Sequence, residues 1–349
     1  MMVLPFKRAE TGHAATYTLY GKLRNRADFV RVNADHAAVT EFDDLIQRTF
    51  ARLSTEPGWE EAYDNSAPVE FQYVSRDTRH TFLGILTPSS DQAGRRYPLV
   101  AGAILPSDSI AGYAHVSPIA YEVFFDGLRE QVSSAVDNSV EALSCRQFLE
   151  TQLRGSDTSA ADLELAKSVV RRFMHITPSA RLGELLAAPA SATTLNLALL
   201  NLAFYRAFLR RFDSPATHQM ILLPLPEDKG ERALVASAWL SMLDALWAGG
   251  RIGQPWSGDY IVMQRPAGEV ALAACFGKVH DRFTPAMLGG LLDASVVLDL
   301  GSEQDAWINH PLYAEVSYAL GRLLADPASS LESLCAFLQD VGKKLEEKV

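Results

Sequence analysis

The sequence predicts an α/β protein in which a mixed β-sheet is sandwiched by helices. Short runs of aliphatic, aromatic and β-branched residues alternate along the chain with longer segments whose apolar residues recur every three or four positions. One short run, LVAGAIL at 99–105, is apolar at every position, which is typical of a strand buried on both faces. The chain has 349 residues, of which 48% are hydrophobic and 21% charged, and this composition favours a folded protein of about two domains.

The predicted strands are bounded by turn signals. The runs at 69–74 and 81–87 flank a short polar segment, which predicts a hairpin. The runs at 260–263 and 270–276 are too short to stand as an isolated hairpin, so we expect them to join the same sheet as 99–105. The predicted strands are 16–22, 69–74, 81–87, 99–105, 220–225, 260–263 and 270–276.

Helical spacing is clearest after Asp35, which is predicted to cap a helix that ends near Leu53. Additional helical segments are predicted in the middle of the chain and at its C-terminus. Beyond the first helix, these cover 119–136, 139–153, 160–174, a short piece near 182, 193–212, 231–248, 285–292, 312–324 and 330–347.

These patterns predict four regions along the chain. An N-terminal α/β domain covers 1–116, and a helical connecting region covers 117–190. A second α/β half at 191–300 is expected to pack on the first, and C-terminal helices cover 301–349.

Composition excludes several classes of function. Lys and Arg number 32 against 42 Asp and Glu, so the net charge of −10 argues against general nucleic-acid binding. The three cysteines are spread along the chain, which favours a reducing compartment over a disulfide framework. The first residues lack the apolar core of a signal peptide, and no apolar run reaches the roughly 20 residues of a membrane span. We therefore expect a cytoplasmic protein with no membrane span and no nucleic-acid partner.

A search for catalytic motifs finds none. The chain has no GxSxG elbow, P-loop, HExxH or EF-hand pattern, and its eight histidines lack metal-ligand spacing. The sequence therefore predicts no catalytic residue, no metal and no cofactor.

Two polar segments stand out. The first, GKLRNRADFVR at 21–31, places Lys22, Arg24, Arg26 and Arg31 beside Asp28 at the end of a predicted strand. Such a loop on a rigid sheet can recognise a partner, although it can equally be a solvated turn.

The second segment, GILTPSSDQAGRRYPL at 84–99, leads from one predicted strand through a polar turn into the next. Asp91 and Arg95 are close enough in the chain to pair and fix this loop.

Together these segments resemble the TagF (ImpM) family of accessory proteins of the bacterial type VI secretion system. Arg24 stands where the family pattern has proline, and Ala27 stands where it has glycine, so the backbone of the first loop is expected to differ. The matching residues are Gly21, Lys22, Asp28, Phe29, Val30 and Arg31 in the first segment and Gly84, Pro88, Ser89, Asp91, Gly94, Arg95, Tyr97, Pro98 and Leu99 in the second.

The resemblance implies an α/β sandwich with no known enzymatic reaction. It also implies a post-translational repressor of secretion that binds the forkhead-associated scaffold protein Fha. The residues predicted to contact this partner are Lys22, Arg26, Asp28, Arg31, Asp91, Arg95 and Tyr97.

Two alternatives remain open at the level of sequence. One is an enzyme of unrecognised class in which Asp91, Arg95 and Asp28 form a polar cluster, and the other is a structural subunit of the secretion apparatus. The sequence leaves the oligomeric state undetermined.

Overall fold

In the computed structural model, the described strands form a single nine-stranded mixed sheet. The structure describes residues 15–137, 142–155, 160–186, 195–211, 220–247, 256, 258–302 and 307–347. The strands are β1 (Thr16–Gly21), β2 (Val30–Val32), β3 (Val69–Val74), β4 (His80–Thr87), β5 (Leu99–Pro106), β6 (Met220–Pro224), β7 (Tyr260–Gln264), β8 (Val270–Cys275) and β9 (Val297–Asp299). Their order across the sheet is β2-β1-β5-β4-β3-β7-β8-β6-β9.

The helices follow the predicted positions closely, apart from the differences given below. They are α1 (Ala37–Leu53), α2 (Trp59–Asp64), α3 (Ser117–Ala120), α4 (Glu122–Val136), α5 (Ala142–Gly155), α6 (Ala160–Ile176), α7 (Ser179–Leu186), α8 (Leu195–Arg211), α9 (Lys229–Trp247), α10 (Tyr313–Ala325) and α11 (Leu331–Glu347). None of the helices within the described part of the chain is both long and apolar enough to cross a membrane.

The sheet consists of two halves joined by one antiparallel pairing. Strands β1 to β5 form one half and β6 to β9 the other, and Phe71 of β3 lies opposite Ile261 of β7 where they meet. Every neighbouring pair is antiparallel except β6 and β9, which are parallel and make the sheet mixed. The expectation that 260–263 and 270–276 join the sheet of 99–105 is confirmed.

The two faces of the sheet are covered differently. On one face, α1 and the segment around Phe283 and Met287 cover strands from both halves in a single hydrophobic cluster. On the other face, α4, α5 and α6 contribute to a cluster over the first half. Helices α8, α9 and α11 contribute to a separate cluster over the second half. A cleft lies between α4 and α9, above the junction of β3 and β7.

Strand β5 confirms the interpretation of the all-apolar run. Val100 and Ile104 belong to the cluster under α1, whereas Leu99 and Ala101 belong to the cluster under α4. Because alternate residues of a strand point to opposite faces, both of its faces are buried.

A glycine explains how aromatic rings pack on this strand pair. Gly84 of β4 lies opposite Gly102 of β5, and a Cβ added at Gly84 would lie 2.7 Å from the ring of Phe71. The ring of Phe42 from α1 stacks on Phe71 at a centroid distance of 4.2 Å. Because Gly84 has no side chain, the ring of Phe71 can pack against β4 beneath α1.

Two of the sequence predictions are wrong in detail. The predicted helix at 285–292 is a short 3-10 turn, Thr284–Leu288, that Gly289 ends with a φ of 84°. A Cβ at Gly289 would lie 2.2 Å from the carbonyl oxygen of Ala62, so the close approach of α2 requires glycine here. The predicted helix at 119–136 is interrupted at Tyr121 between α3 and α4.

The sequence also predicts the wrong cap for α1. His36, and not Asp35, is the N-cap, and its ring Nδ1 accepts a hydrogen bond from the backbone N–H of Ala38 at 3.2 Å. The ring of His80 lies edge-on to the ring of His36, and the two ring centroids are 4.5 Å apart. Partial burial, and then the charge of His80, lower the pKa of His36, while Asp77 opposes the shift.

The neutral form of His36 caps α1, so protonation of Nδ1 removes this hydrogen bond. Because its pKa is lower in the folded chain, the cap stabilises the protein fully above the ordinary value near 6.5, and this contribution is lost as pH falls from there through the lowered folded value. We expect His36→Asn, which caps without titrating, to lose less stability than the parent between about pH 7 and pH 5, by about 1 kcal/mol. Urea unfolding at both pH values measures this difference, and equal losses in the two proteins would contradict it.

Candidate functional site

The two polar segments singled out in the sequence form adjacent loops at one edge of the sheet. The first loop, residues 22–29, follows β1, and the second loop, residues 88–98, joins β4 to β5. Because β1 and β5 are antiparallel neighbours, the end of β1 and the start of β5 coincide, with Tyr20 opposite Val100. At Gly21, where φ is 131°, a Cβ would lie 2.1 Å from the carbonyl oxygen of Pro98, so the contact between the loops requires glycine.

A buried carboxylate organises both loops. The side chain of Asp91 has no exposed surface. Its Oδ1 accepts hydrogen bonds from the backbone N–H groups of Ala93 at 3.0 Å and Arg95 at 2.9 Å. Its Oδ2 lies 2.7 Å from Nε of Arg95 and 3.1 Å from Nζ of Lys22. The predicted pairing of Asp91 with Arg95 is confirmed, and Lys22 is a second partner that the sequence did not indicate.

Further hydrogen bonds join the first loop to the second. The Ser89 hydroxyl donates to the carbonyl oxygen of Lys22 at 2.7 Å. The backbone N–H of Gln92 donates to the carbonyl oxygen of Arg26 at 2.9 Å, and the Arg95 guanidinium donates to that of Ala27 at 3.2 Å. The two loops therefore form one structural unit, which we call the joined loops.

The lowered pKa of Asp91 shows that its carboxylate is stabilised by the groups around it. Burial alone would raise the pKa of its carboxyl, but the hydrogen bond from the Arg95 backbone and the contacts with the Lys22 ammonium and Arg95 guanidinium outweigh it and lower the pKa to about 2. A carboxylate with occupied oxygens and so low a pKa is poorly suited to act as a general base near neutral pH. This arrangement disfavours the alternative of an enzyme built on Asp91, Arg95 and Asp28.

The outer surface of the joined loops is basic. Arg24 and Arg26 of the first loop are exposed, as is Arg31 of the adjoining strand β2, which we count with this surface, and the side chain of Arg95 is 68% exposed although its Nε contacts Asp91. Residues 25–30 line a shallow depression of about 480 Å³ within this surface. Lys22 differs from the other predicted cations because only 16% of its side chain is exposed and its ammonium points inward. Asp28 is the exposed acidic residue of the first loop.

Tyr97 lies beneath this surface and not on its outside. Its ring stacks on Phe50 of α1 at a centroid distance of 5.4 Å and lies 5.1 Å from the ring of Phe29. Its hydroxyl donates a hydrogen bond to Asp43, and burial raises the pKa of this hydroxyl. Tyr97 thus anchors the second loop to α1, and its contact with a partner stays a prediction.

A second buried carboxylate, which the sequence did not indicate, lies in the other half of the sheet. Asp259 is fully buried before β7 and accepts a hydrogen bond from the backbone N–H of Val74 at the end of β3. The ammonium of Lys278 lies 4.0 Å from it and donates to the Val74 carbonyl oxygen at 2.7 Å. Gly277 precedes this lysine with a φ of 121°, as Gly21 precedes Lys22. The repeated Gly-Lys pair after a strand is the signal that could have revealed this anchor.

Among the residues that the structure describes, no three His, Cys, Asp or Glu side chains converge into a group that could hold a metal ion.

A family model matches the part of the chain that contains the joined loops. Residues 18–152 match the family model described as the TagF N-terminal domain, type VI secretion system-associated. The matched segment contains both loops and continues through α4 into α5. No curated protein matches the chain significantly.

The solved structures that are similar to part of this chain include the crystal structure of PA0076 from Pseudomonas aeruginosa PAO1 at 2.05 Å resolution, with 26% identity and a TM-score of 0.31. The match covers 38% of this chain and 60% of that one, so this chain spans less than two thirds of its length. Because the TM-score is low, this likeness supports no conclusion about fold or function.

The lowered pKa of Asp91 predicts a specific response to acid. Since the folded pKa is about 2 and the ordinary value is near 3.9, the ionised carboxylate stabilises the fold above about pH 4, and this contribution is lost as pH falls toward 2. We expect Asp91→Asn to be less stable than the parent at neutral pH and to lose less further stability across this acid range. Denaturant midpoints as a function of pH measure the two slopes, and Asp28→Asn is the matched control that should keep the parent slope.

The two cationic partners of Asp91 should contribute unequally. The Arg95 side chain is mostly in water, where an ion pair contributes little, whereas Lys22 is largely buried and also donates to the Arg95 carbonyl oxygen at 3.2 Å. We expect Lys22→Ala to lower the melting temperature more than Arg95→Ala. Thermal unfolding by circular dichroism tests the order, and a larger loss in Arg95→Ala would contradict it.

Proposed function

We propose that this protein, whose residues 18–152 match the TagF N-terminal domain model associated with type VI secretion, is a non-catalytic regulator of that system. It restrains secretion after translation by binding a forkhead-associated scaffold protein. The joined loops are the surface that contacts the scaffold, and an acidic surface of the scaffold is the complement.

The observation that carries this proposal is the positive charge on the surface of the joined loops. Arg24, Arg26 and Arg31 are exposed on a protein whose net charge is −10, so the local charge opposes the global one. A local patch of this kind orients an acidic partner during encounter, and it does so while the rest of the surface repels that partner.

Rigidity of the loops supports the same proposal. The backbone beneath the arginines is held by Asp91 and by hydrogen bonds from Ser89 and Gln92. Because the loop backbone is already ordered, less conformational entropy is lost on binding than with a flexible loop. The guanidinium of Arg31 also lies over the Phe29 ring at 5.3 Å, which limits its orientations.

The proposed interface is tested by reversing two of its charges. The double variant Arg26→Glu and Arg31→Glu should remain folded, because both side chains are exposed. It should capture the forkhead-associated scaffold at least about tenfold less well, since a loss of about 1.4 kcal/mol already has this effect. In cells, the same variant should release secretion from repression.

The matched control is the double variant Arg171→Glu and Arg172→Glu, which changes two exposed arginines of α6 that lie outside the joined loops. It changes the net charge by the same amount and should capture the scaffold as the parent does. Capture by the parent should also weaken at high salt, because exposed charges are screened. If the loop variant captures the scaffold as well as the control at low and high salt, the joined loops are not the interface.

A further inference from the structure

The cleft between α4 and α9 is a cavity separate from the joined loops. It has a volume of about 360 Å³, which is at the small end of the range for sites that bind small molecules. Its floor is the sheet where β3 meets β7, and its walls are one face of α4 and one face of α9. The apolar part of the lining includes Phe125 of α4, Ala236 of α9 and Val262 of β7.

The two walls carry opposite charges. Glu122 and Asp126 line the cleft from α4, and Lys229 and Arg232 line it from α9. In the described part of the chain, no ion pair joins one wall to the other. Asp126 contacts Arg129 of its own helix at 2.7 Å, and the Arg232 guanidinium donates to the carbonyl oxygens of Pro226 at 2.9 Å and Glu227 at 2.6 Å.

The charges on the α4 side of the cleft do not cancel. Arg129 of α4 pairs both with Asp126 and with Glu70 of β3, so one cation serves two carboxylates there. With Glu122 as a further carboxylate, this side is negative overall, and the opposite side is positive at Lys229 and Arg232. A ligand that carries one charge satisfies only one wall and leaves the other without a counter-charge.

From this arrangement we infer that the cleft binds a small zwitterion with an apolar body, namely a free apolar amino acid or a dipeptide. The ammonium group lies toward Glu122 and Asp126, and the carboxylate lies toward Lys229 and Arg232. The apolar body packs on Phe125 and the aliphatic floor. The binding is non-covalent, and no bond of the ligand changes.

The pKa shifts of the charged residues on the two walls agree with a shortage of counter-charges in the cleft. Burial, and then the charge of Asp126, raise the pKa of Glu122, so a ligand ammonium would stabilise its ionised form. Burial lowers the pKa of Arg232, while Asp228 and Glu227 oppose the shift. Burial, and then the charge of Arg232, lower the pKa of Arg129, so a carboxylate near them would relieve the repulsion of two cations.

The inference is tested first on the unmodified protein. Isothermal titration calorimetry compares leucine and leucyl-leucine with two analogues of leucine that carry one charge each, 4-methylpentanoate and 3-methylbutylamine. We expect leucine or leucyl-leucine to bind, and both single-charge analogues to bind at least about tenfold more weakly, because each lacks one charge-assisted contact. This comparison requires no variant and so does not depend on how a substitution folds.

Two substitutions then assign the contacts. In Glu122→Gln, the advantage of leucine over 4-methylpentanoate should disappear, and in Arg232→Gln, the advantage of leucine over 3-methylbutylamine should disappear. Glu130→Gln, which changes an exposed carboxylate of α4 outside the lining, is the matched control and should bind as the parent does.

Three results would overturn the inference. They are the absence of binding of both leucine and leucyl-leucine at millimolar concentration, equal binding of leucine and 4-methylpentanoate to the parent, and parental selectivity in both lining variants. None of these results bears on scaffold capture by the joined loops, so this inference and the proposed function fail independently.

Discussion

A single sheet buried on both faces is the constraint on which the rest of this structure depends. Its interior strands must supply apolar side chains to both faces, so they contain few charges, and polar groups are concentrated at strand ends, in loops and between helices. Strand β5 illustrates this, because alternate residues contribute to the clusters under α1 and α4. Gly84 and Gly102 follow from the same constraint, since close packing on the strands leaves no room for a side chain.

The buried carboxylates show how the loops are attached to this sheet. Asp91 and Asp259 each lie near the end of a strand, accept a backbone N–H and are approached by the ammonium of a lysine that follows a glycine. A buried charge is tolerated when it is paired and its lone pairs are occupied, and its removal leaves several donors unpartnered. In each half of the sheet, one buried acidic side chain thus holds backbone that lies beside the strands.

The coverage of the sheet also separates two polar regions with different properties. The joined loops are an exposed surface with arginines above a backbone held by hydrogen bonds, which suits contact with another macromolecule. The cleft between α4 and α9 is concave, apolar at its floor and charged on opposing walls, which suits a small ligand. The cleft exists because the helices on this face pack in two clusters, whereas α1 and its neighbours cover the other face continuously.

The sequence by itself determined the fold class, most of the strands and helices and the pairing of Asp91 with Arg95. These features depend on residues close together in the chain: periodicity, apolar runs and a four-residue spacing within one turn. The short strands β2 and β9 were missed because three residues give too little pattern, and the Asp35 cap was wrong because the neighbouring His36 ring competes for the same backbone N–H. Only the tertiary structure decided that β3 pairs with β7, that Lys22 turns inward to Asp91 and that α4 and α9 face each other across a cleft. Each of these contacts joins segments distant in the chain, and its energy comes from burial and pairing that no local pattern records.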